Sequence, residues 1–153
     1  MQRAEFTKKV KPRDASKLKI AIVVANFNTD ITNSMLEGAQ GALKEWGVSE
    51  KNMKVARVYG SFDLPFGCMA AIKKWRPDAV VALGCIIKGE TDHDRYIASA
   101  VSQGIIDLTL SSGVPISLGV LTTNTLKQAK ARSSGKTNHG EKAAVAALEM
   151  ALL

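Results

Sequence analysis

One segment of the sequence, residues 85–93 (CIIKGETDH), combines the residue types that phosphate binding requires. Residues 89–91 (Gly-Glu-Thr) stand where a helix is predicted to begin, so their backbone N–H groups and the helix dipole form an anion site. Lys88 adds a positive charge nearby. The residue order of a P-loop is absent, and no G-x-G-x-x-G motif occurs. The alternative is an ordinary capped helix, with Thr91 as N-cap and Asp94 completing a capping box.

His93, in the same segment, is a candidate proton shuttle. The N-terminus of a helix favours the neutral imidazole, which can exchange a proton near pH 7. The alternative is a solvated histidine of the first helical turn. Residues 92–94 (Asp-His-Asp) also resemble a metal cluster, but His139 is the only other histidine. We therefore expect no metal site.

Phe27 and Phe62 each follow an apolar run that predicts a strand, in a chain with few aromatic residues. They either stack on a flat heterocycle or cover the edge of the sheet. Asp63 either accepts hydrogen bonds from ligand hydroxyls or caps the helix that begins at Pro65. A second cationic patch, or alternatively a solvated break between two helices, comprises Arg132, Lys136, Asn138 and His139.

These residues must be positioned by the surrounding elements. Apolar, β-branched runs predict four strands, over residues 18–24, 53–58, 79–84 and 115–120. Apolar residues at helical spacing predict helices over residues 30–46, 65–75, 91–112, 125–132 and 141–152. Alternating strands and helices imply right-handed β-α-β units and a parallel sheet covered on both faces. The sequence therefore predicts an α/β fold: a three-layer α/β/α, flavodoxin-like domain with a parallel four-stranded sheet over residues 18–153, preceded by an N-terminal arm over residues 1–17.

The carboxyl ends of the four strands bring the candidate residues together. Ligands bind outside those ends in sheets of this kind. Four loops lie there, residues 25–28, 59–63, 85–93 and 121–123. Polar and aromatic side chains collect in these loops although the flanking strands are apolar. We therefore expect one binding site at this edge of the sheet.

Composition excludes several other classes of protein. The chain has 153 residues, the usual size of one domain, and a formal net charge of +7 with basic residues concentrated near its start. Aromatic and basic residues do not interleave, so we expect no nucleic-acid partner. The two cysteines, Cys68 and Cys85, fit a reducing compartment rather than a disulfide scaffold. Because the sequence has no signal peptide and no long apolar run, we expect a cytoplasmic protein without a membrane partner.

Several ordered motifs resemble the lumazine synthase family over almost the whole chain. The family's Phe-Asn and Ile-Thr pairs resemble residues 27–28 and 31–32, and its Gly-Ala-Phe-Glu-hydrophobic-Pro pattern resembles residues 60–65 (GSFDLP). Its signature segment resembles residues 82–93 (ALGCIIKGETDH). At matching distances follow residues 113–123 (GVPISLGVLTT), Arg132 and residues 138–141 (NHGE). Several motifs in this order are a specific signal, unlike any one of them alone.

The resemblance implies a transferase that works without a cofactor or metal. The family condenses 5-amino-6-(D-ribitylamino)uracil with 3,4-dihydroxy-2-butanone 4-phosphate, the penultimate step of riboflavin biosynthesis. Residues implied in uracil and ribityl binding are Phe27, Ser61, Phe62, Asp63, Cys85, Ile86, Ile87 and, at a position contributed by the adjacent subunit, Leu118. Those implied in phosphate binding are Glu90, Thr91 and, from a neighbouring subunit, Arg132. His93 is implied as the general acid and base.

The resemblance also implies an assembly of several subunits, and the sequence departs from the family pattern at several positions. Family members form homopentamers or multiples of pentamers with shared sites, and the N-terminal arm adds to a neighbour's sheet. Leu118 and Asp94 stand where an aromatic residue is common, Asp63 is shorter than the usual Glu, and residues 133–138 form a shorter segment than usual. Two alternatives stay open: an archaeal-type riboflavin synthase, which would not need the phosphate patch, and a catalytically silent homologue that binds flavin or forms shells.

Overall fold

The computed structural model describes residues 9–153, along which four strands alternate with five α-helices. In chain order the elements are β1 (Ile20–Ala25), α1 (Thr29–Glu45), β2 (Met53–Val58), α2 (Leu64–Trp75), β3 (Ala79–Ile87), α3 (His93–Ser112), β4 (Ile116–Thr123), α4 (Leu126–Arg132) and α5 (His139–Ala151). A short 3-10 turn, Ser61–Asp63, connects β2 to α2. Within this part of the chain, no helix combines the length and apolar character that a membrane crossing requires.

The strands form one parallel sheet in the order β2-β1-β3-β4. The chain passes from β1 outward to β2 and then returns to the other side of β1, so the winding reverses between β1 and β3. A crevice opens at such a switch point, outside the carboxyl ends of the strands. All six residues of β1 and the first eight of β3 are buried, which explains why these two central strands lack alternating polarity.

Helices cover both faces of the sheet and create two apolar cores. On one face α1 and α5 pack against Ile20, Ile22 and Val24 of β1. On the other face α2 and α3 pack against Ala21 and Val23. Each fully buried Val or Ile side chain contributes roughly 1.5–3 kcal/mol to folding. The predicted three-layer α/β/α fold with a parallel four-stranded sheet is therefore confirmed.

Two strand ends differ from the prediction made from apolar runs. β3 continues to Ile87 and β4 to Thr123, whereas the apolar runs predicted ends at residues 84 and 120. The strands continue because residues 85–87 stay in register with residues 121–123, and the N–H of Lys88 still donates to the Thr123 carbonyl at 2.8 Å. The remaining boundaries agree with the prediction to within two residues.

Residues 9–17 form neither helix nor strand, but Lys9, Arg13 and Ala15 contact the rest of their own chain. The guanidinium of Arg13 contacts the Glu149 carboxylate at 3.2 Å and lies 5.9 Å from the centroid of the Trp46 ring. Ala15 is buried, and its N–H donates to the Trp46 carbonyl at 2.8 Å. Residues 1–8 lie outside the described residues, so the docking of the arm on a neighbouring subunit stays a prediction.

Candidate active site

A cleft of about 570 Å³ opens at the switch point between β1 and β3. We call it the switch-point cleft; its walls are the loop after β1, the turn after β2, the end of β3 and the start of α3. Three of the four predicted loops therefore meet there, whereas residues 121–123 belong to β4 and do not line it. Nine predicted site residues line it: Phe27, Ser61, Phe62, Asp63, Cys85, Ile86, Ile87, Thr91 and His93.

The loop after β1 carries Phe27 into the cleft. The N–H of Phe27 donates to the Tyr59 carbonyl at 3.0 Å, and the N–H of Asn26 donates to the Val58 carbonyl at 2.8 Å. Asn28 adopts the left-handed conformation with φ of 62°, which Asn tolerates better than most residues. Its side-chain amide donates to the Cys85 carbonyl at 3.0 Å. The backbone of this loop is thus fixed, while the Phe27 ring is 63% exposed and free to stack on a ligand.

The end of β3 presents backbone groups to the cleft on one side only. The N–H of Val80 donates to the carbonyl of Pro115, just before β4, and the N–H of Lys88 donates to the carbonyl of Thr123 at the end of β4. The backbone groups of even-numbered residues in β3 therefore face β4. The odd-numbered residues Cys85 and Ile87 consequently face the β1 side. The register between β1 and β3 ends at Leu83, and beyond it the cleft replaces the strand. The last odd-numbered positions of β3 can therefore bind the edge of a planar ligand.

The 3-10 turn after β2 forms a second wall. Phe62 is 63% exposed, while the hydroxyl oxygen of Ser61 is buried and has no hydrogen-bond partner among the described residues. The Asp63 carboxylate accepts a hydrogen bond from the Gly60 N–H at 3.0 Å. Asp63 occupies the N-cap position of α2 but makes no side-chain cap bond there. The interpretation of Asp63 as a side-chain cap for this helix is therefore wrong, because the carboxylate closes the preceding turn instead.

The loop before α3 supplies N–H groups at the opposite wall. α3 begins at His93 with Asp92 at the N-cap position, and no side chain caps it. The alternative of a Thr91–Asp94 capping box is therefore wrong: the Thr91 hydroxyl oxygen accepts a hydrogen bond from the His93 N–H at 3.4 Å, and not from the Asp94 N–H. The Arg95 N–H also has an acceptor, the Asp92 carbonyl at 3.0 Å. The Asp94 N–H and the N–H groups of the preceding loop therefore keep their capacity to bind an anion. Thr91 lines the cleft, whereas Glu90 is exposed beside it.

Besides Glu90, two predicted residues, Leu118 and Arg132, do not line the switch-point cleft. Leu118, 48% exposed, lines a separate cavity of about 480 Å³ between β4, α3 and α5, together with His139 and Lys142. Burial, followed by the positive charges of Lys142 and Arg132, lowers the pKa of His139. We call Leu118, Arg132, His139 and Lys142 the β4–α5 surface. In a single chain, then, the predicted residues fall into two separate groups.

Asn138 holds the β4–α5 surface in place. Its side-chain oxygen accepts from the Gly140 N–H at 2.8 Å and caps α5. Its amide nitrogen donates to the carbonyls of Ser34 in α1 and Ser133, each at 3.0 Å. The break between α4 and α5 is thus tied to the body of the domain and is not merely a solvated connection.

Other titratable groups have simpler roles. Burial raises the pKa of Cys85 to about 11 and that of Cys68 to about 12, so both thiols are neutral at pH 7 and poor nucleophiles. Across residues 9–153, no group of three His, Cys, Asp or Glu side chains is arranged to hold a metal ion.

Sequence reasoning missed four side chains that line the cleft: Asn28, Tyr59, Asp94 and Ile97. Tyr59 follows β2 directly, is 81% exposed and lies in the loop 59–63 that was predicted at this edge, although it was not singled out within that loop. Asn28 lies in a loop already predicted at this edge, but its contact with Cys85 spans 57 positions and leaves no local signal.

Comparison with known proteins gives a consistent result. A family model described as 6,7-dimethyl-8-ribityllumazine synthase matches residues 17–153. A protein of that name from Parabacteroides distasonis is 44% identical over 90% of this chain and 86% of its own length. Relatives of the same name from Phocaeicola vulgatus and Bacteroides fragilis are each 40% identical, over 90% and 87% of this chain and 82% and 94% of their own lengths. The chain therefore belongs to the 6,7-dimethyl-8-ribityllumazine synthase family, the transferases that form lumazine in riboflavin biosynthesis.

Proposed function

We propose that the switch-point cleft of one subunit and the β4–α5 surface of the next form the complete site for lumazine synthesis. The observation that carries this proposal is the co-location of an exposed ring, open strand backbone, uncapped helix N–H groups and a histidine around one cleft. These groups match the parts of the two small-molecule substrates: a planar uracil, a polyhydroxyl chain and a phosphate.

The uracil and its ribityl chain occupy the inner part of the cleft in this proposal. Phe27 stacks on the uracil ring, and the backbone of β3 at Cys85 and Ile87 binds its edge, with Ile86 between them. The buried, unpaired hydroxyl of Ser61 supports a ribityl contact, because an unsatisfied buried hydroxyl costs about 1–3 kcal/mol until a partner arrives. Phe62 and Asp63 bound the same part of the site.

The phosphate of the butanone substrate lies at the N-terminus of α3. Glu90 and Thr91 contribute backbone N–H groups, and the helix dipole favours the dianion. Arg132 from the adjacent subunit supplies a fixed positive charge; its guanidinium donates to the Gln128 carbonyl at 3.1 Å within its own chain. No carboxylate of residues 9–153 pairs with it, which supports an anionic ligand as its partner.

His93 moves protons between the reacting groups. The amine of the uracil attacks the ketone, and loss of water gives an imine. Elimination then releases inorganic phosphate, and ring closure by the ribityl-bearing nitrogen releases a second water. Each step transfers a proton, and the condensation of the two substrates is redox-neutral overall. Correct positioning of the substrates and one titratable side chain, His93, therefore suffice.

The division of these residues between two surfaces supports a ring of subunits. The cleft and the β4–α5 surface are different patches of one chain, and a head-to-tail contact between unlike patches closes into a ring when its rotation permits. We propose a homopentamer, or a multiple of pentamers, in the cytoplasm. Leu118 then closes the uracil pocket from the adjacent subunit with an aliphatic rather than an aromatic side chain.

The test combines an assay with a mass measurement. The protein is mixed with the aminouracil and the butanone phosphate, and fluorescent lumazine is expected to form faster than in the uncatalysed reaction. Native mass spectrometry is expected to give five subunits or a multiple of five. Riboflavin formed from lumazine alone would favour the riboflavin synthase alternative, and bound substrates without acceleration would favour a silent homologue. A monomer with full activity would contradict the shared site.

A further inference from the structure

Phe27 owes its position to the backbone of its loop rather than to packing of its ring. The ring is 63% exposed, so few contacts restrain it directly. Two backbone hydrogen bonds and the Asn28 amide connect the loop to β2, its following turn and β3. Whatever holds the loop therefore also decides where the ring meets a ligand.

Arg57 of β2 adds a further connection, made by its side chain. One guanidinium nitrogen donates to the side-chain oxygen of Asn26 at 3.2 Å, and the other donates to the side-chain oxygen of Asn33 at 2.9 Å. Asn26 begins the loop that carries Phe27, whereas Asn33 lies in α1. The guanidinium thus joins β2, the loop and the helix that follows the loop.

The partners of Arg57 are two neutral amides. No carboxylate of the described residues forms an ion pair with it. A planar guanidinium presents several N–H groups in a fixed fork, which suits two acceptors held at set positions. Lysine has one charged nitrogen on a flexible stem and reproduces this geometry only in part. The contact of Arg57 with the two amides therefore depends on the geometry of the guanidinium group as well as on its positive charge.

We propose that Arg57 is a positioning residue for the aminouracil substrate: it fixes Asn26 against α1 and thereby sets the backbone that presents the Phe27 ring. This inference rests on the proposed function of the cleft. Arg57 does not line the cleft, so it acts through the loop. Its loss releases the loop, weakens stacking, and leaves the phosphate region at α3 unchanged.

The experiment measures kcat and KM for each substrate in Arg57→Met, Arg57→Lys and the matched control Lys54→Met. Lys54 is an exposed cation of the same strand with no hydrogen bond or ion pair to the loop. We expect Arg57→Met to raise the KM for the aminouracil about 3–10-fold, which corresponds to the net contribution of one ordinary hydrogen bond. The kcat and the KM for the butanone phosphate stay constant, Arg57→Lys recovers part of the loss, and Lys54→Met matches the wild type.

A binding measurement and a double-mutant cycle separate positioning from a general charge effect. The affinity for lumazine, measured by its fluorescence, is expected to fall in Arg57→Met by the same factor as the KM rises. Asn26→Ala combined with Arg57→Met is expected to cost no more than the larger single change, because both remove one contact.

The inference is overturned if Arg57→Met matches Lys54→Met, if the two losses add, or if the KM values for both substrates rise equally. An inactive wild type would overturn the proposed function and this inference with it. An active wild type with an unaltered Arg57→Met variant would overturn the inference alone.

Discussion

Replacement of Gly84 by alanine tests how closely β3 packs against the 3-10 turn Ser61–Asp63. A Cβ atom at Gly84 in β3 would lie 2.6 Å from the Ser61 hydroxyl oxygen and 3.0 Å from a methyl carbon of Leu64. The first distance is far inside van der Waals contact, so Ser61 must move. Overpacking of this kind costs about 1–3 kcal/mol. The lower conformational entropy of Ala in the unfolded chain offsets roughly 0.5–1 kcal/mol, which leaves a net loss centred on about 1 kcal/mol.

A second substitution separates the clash from other effects. Ser61→Ala removes the hydroxyl that the new methyl group would strike, and the remaining Cβ of Ser61 lies at 3.4 Å. Because that buried hydroxyl has no partner among the described residues, its removal alone is expected to raise the stability by about 1–3 kcal/mol. Relative to Ser61→Ala, the double variant Ser61→Ala/Gly84→Ala is therefore expected to lose less than half of the stability that Gly84→Ala loses relative to the wild type.

Urea denaturation at one fixed protein concentration measures these differences, since association with other subunits would shift the apparent stability. For a chain of this size, 1 kcal/mol corresponds to a change in Tm of about 2–4 °C. Lumazine formation adds an independent readout: the double variant is expected to recover stability but to keep a raised KM for the aminouracil, because the Ser61 hydroxyl is absent. A Gly84→Ala variant as stable as the wild type would refute the reasoning. So would a Gly84→Ala change that costs as much stability in the Ser61→Ala background as it does in the wild type.

Three further predictions concern His93 and the β4–α5 surface. His93→Ala is expected to lower kcat by up to about 10²–10⁴-fold with lumazine binding retained; loss of binding instead would refute its role as a shuttle. Arg132→Ala is expected to raise mainly the KM for the butanone phosphate, and an unchanged value would contradict the phosphate assignment. Since the pKa of His139 lies below its ordinary value of 6.5, this residue contributes stability that is present above pH 6.5 and lost as the pH falls through the lowered pKa. Lys142→Met is expected to raise that pKa and reduce the acid-induced loss; an NMR titration that shows the same pKa in both proteins would contradict this.

The sequence alone determined the kinds of element and the edge at which the site forms. Uninterrupted apolar runs identify β1 and β3 as strands buried on both faces, because only a covered parallel sheet leaves no polar face. Pro65 at the start of α2 and Gly113 at the end of α3, with φ of 71°, mark helix ends through local backbone restrictions. Such signals depend on a few neighbouring residues and can therefore be recognised from the sequence without knowledge of the tertiary structure.

Tertiary structure decided which of the candidate residues meet. The end of β3 is set by pairing with β4, and the Phe27 loop is held by Cys85 and Arg57, which lie 57 and 31 positions away from their partners. Leu118 lines another cavity of the same chain, and Arg132 lies near enough to His139 in that cavity to lower its pKa, although the motifs group both residues with His93. Hydrophobic periodicity specifies how a segment faces the core. Strand register, long-range hydrogen bonds and the assignment of side chains to one surface or another depend on distances that arise only when the sheet and its helices pack together.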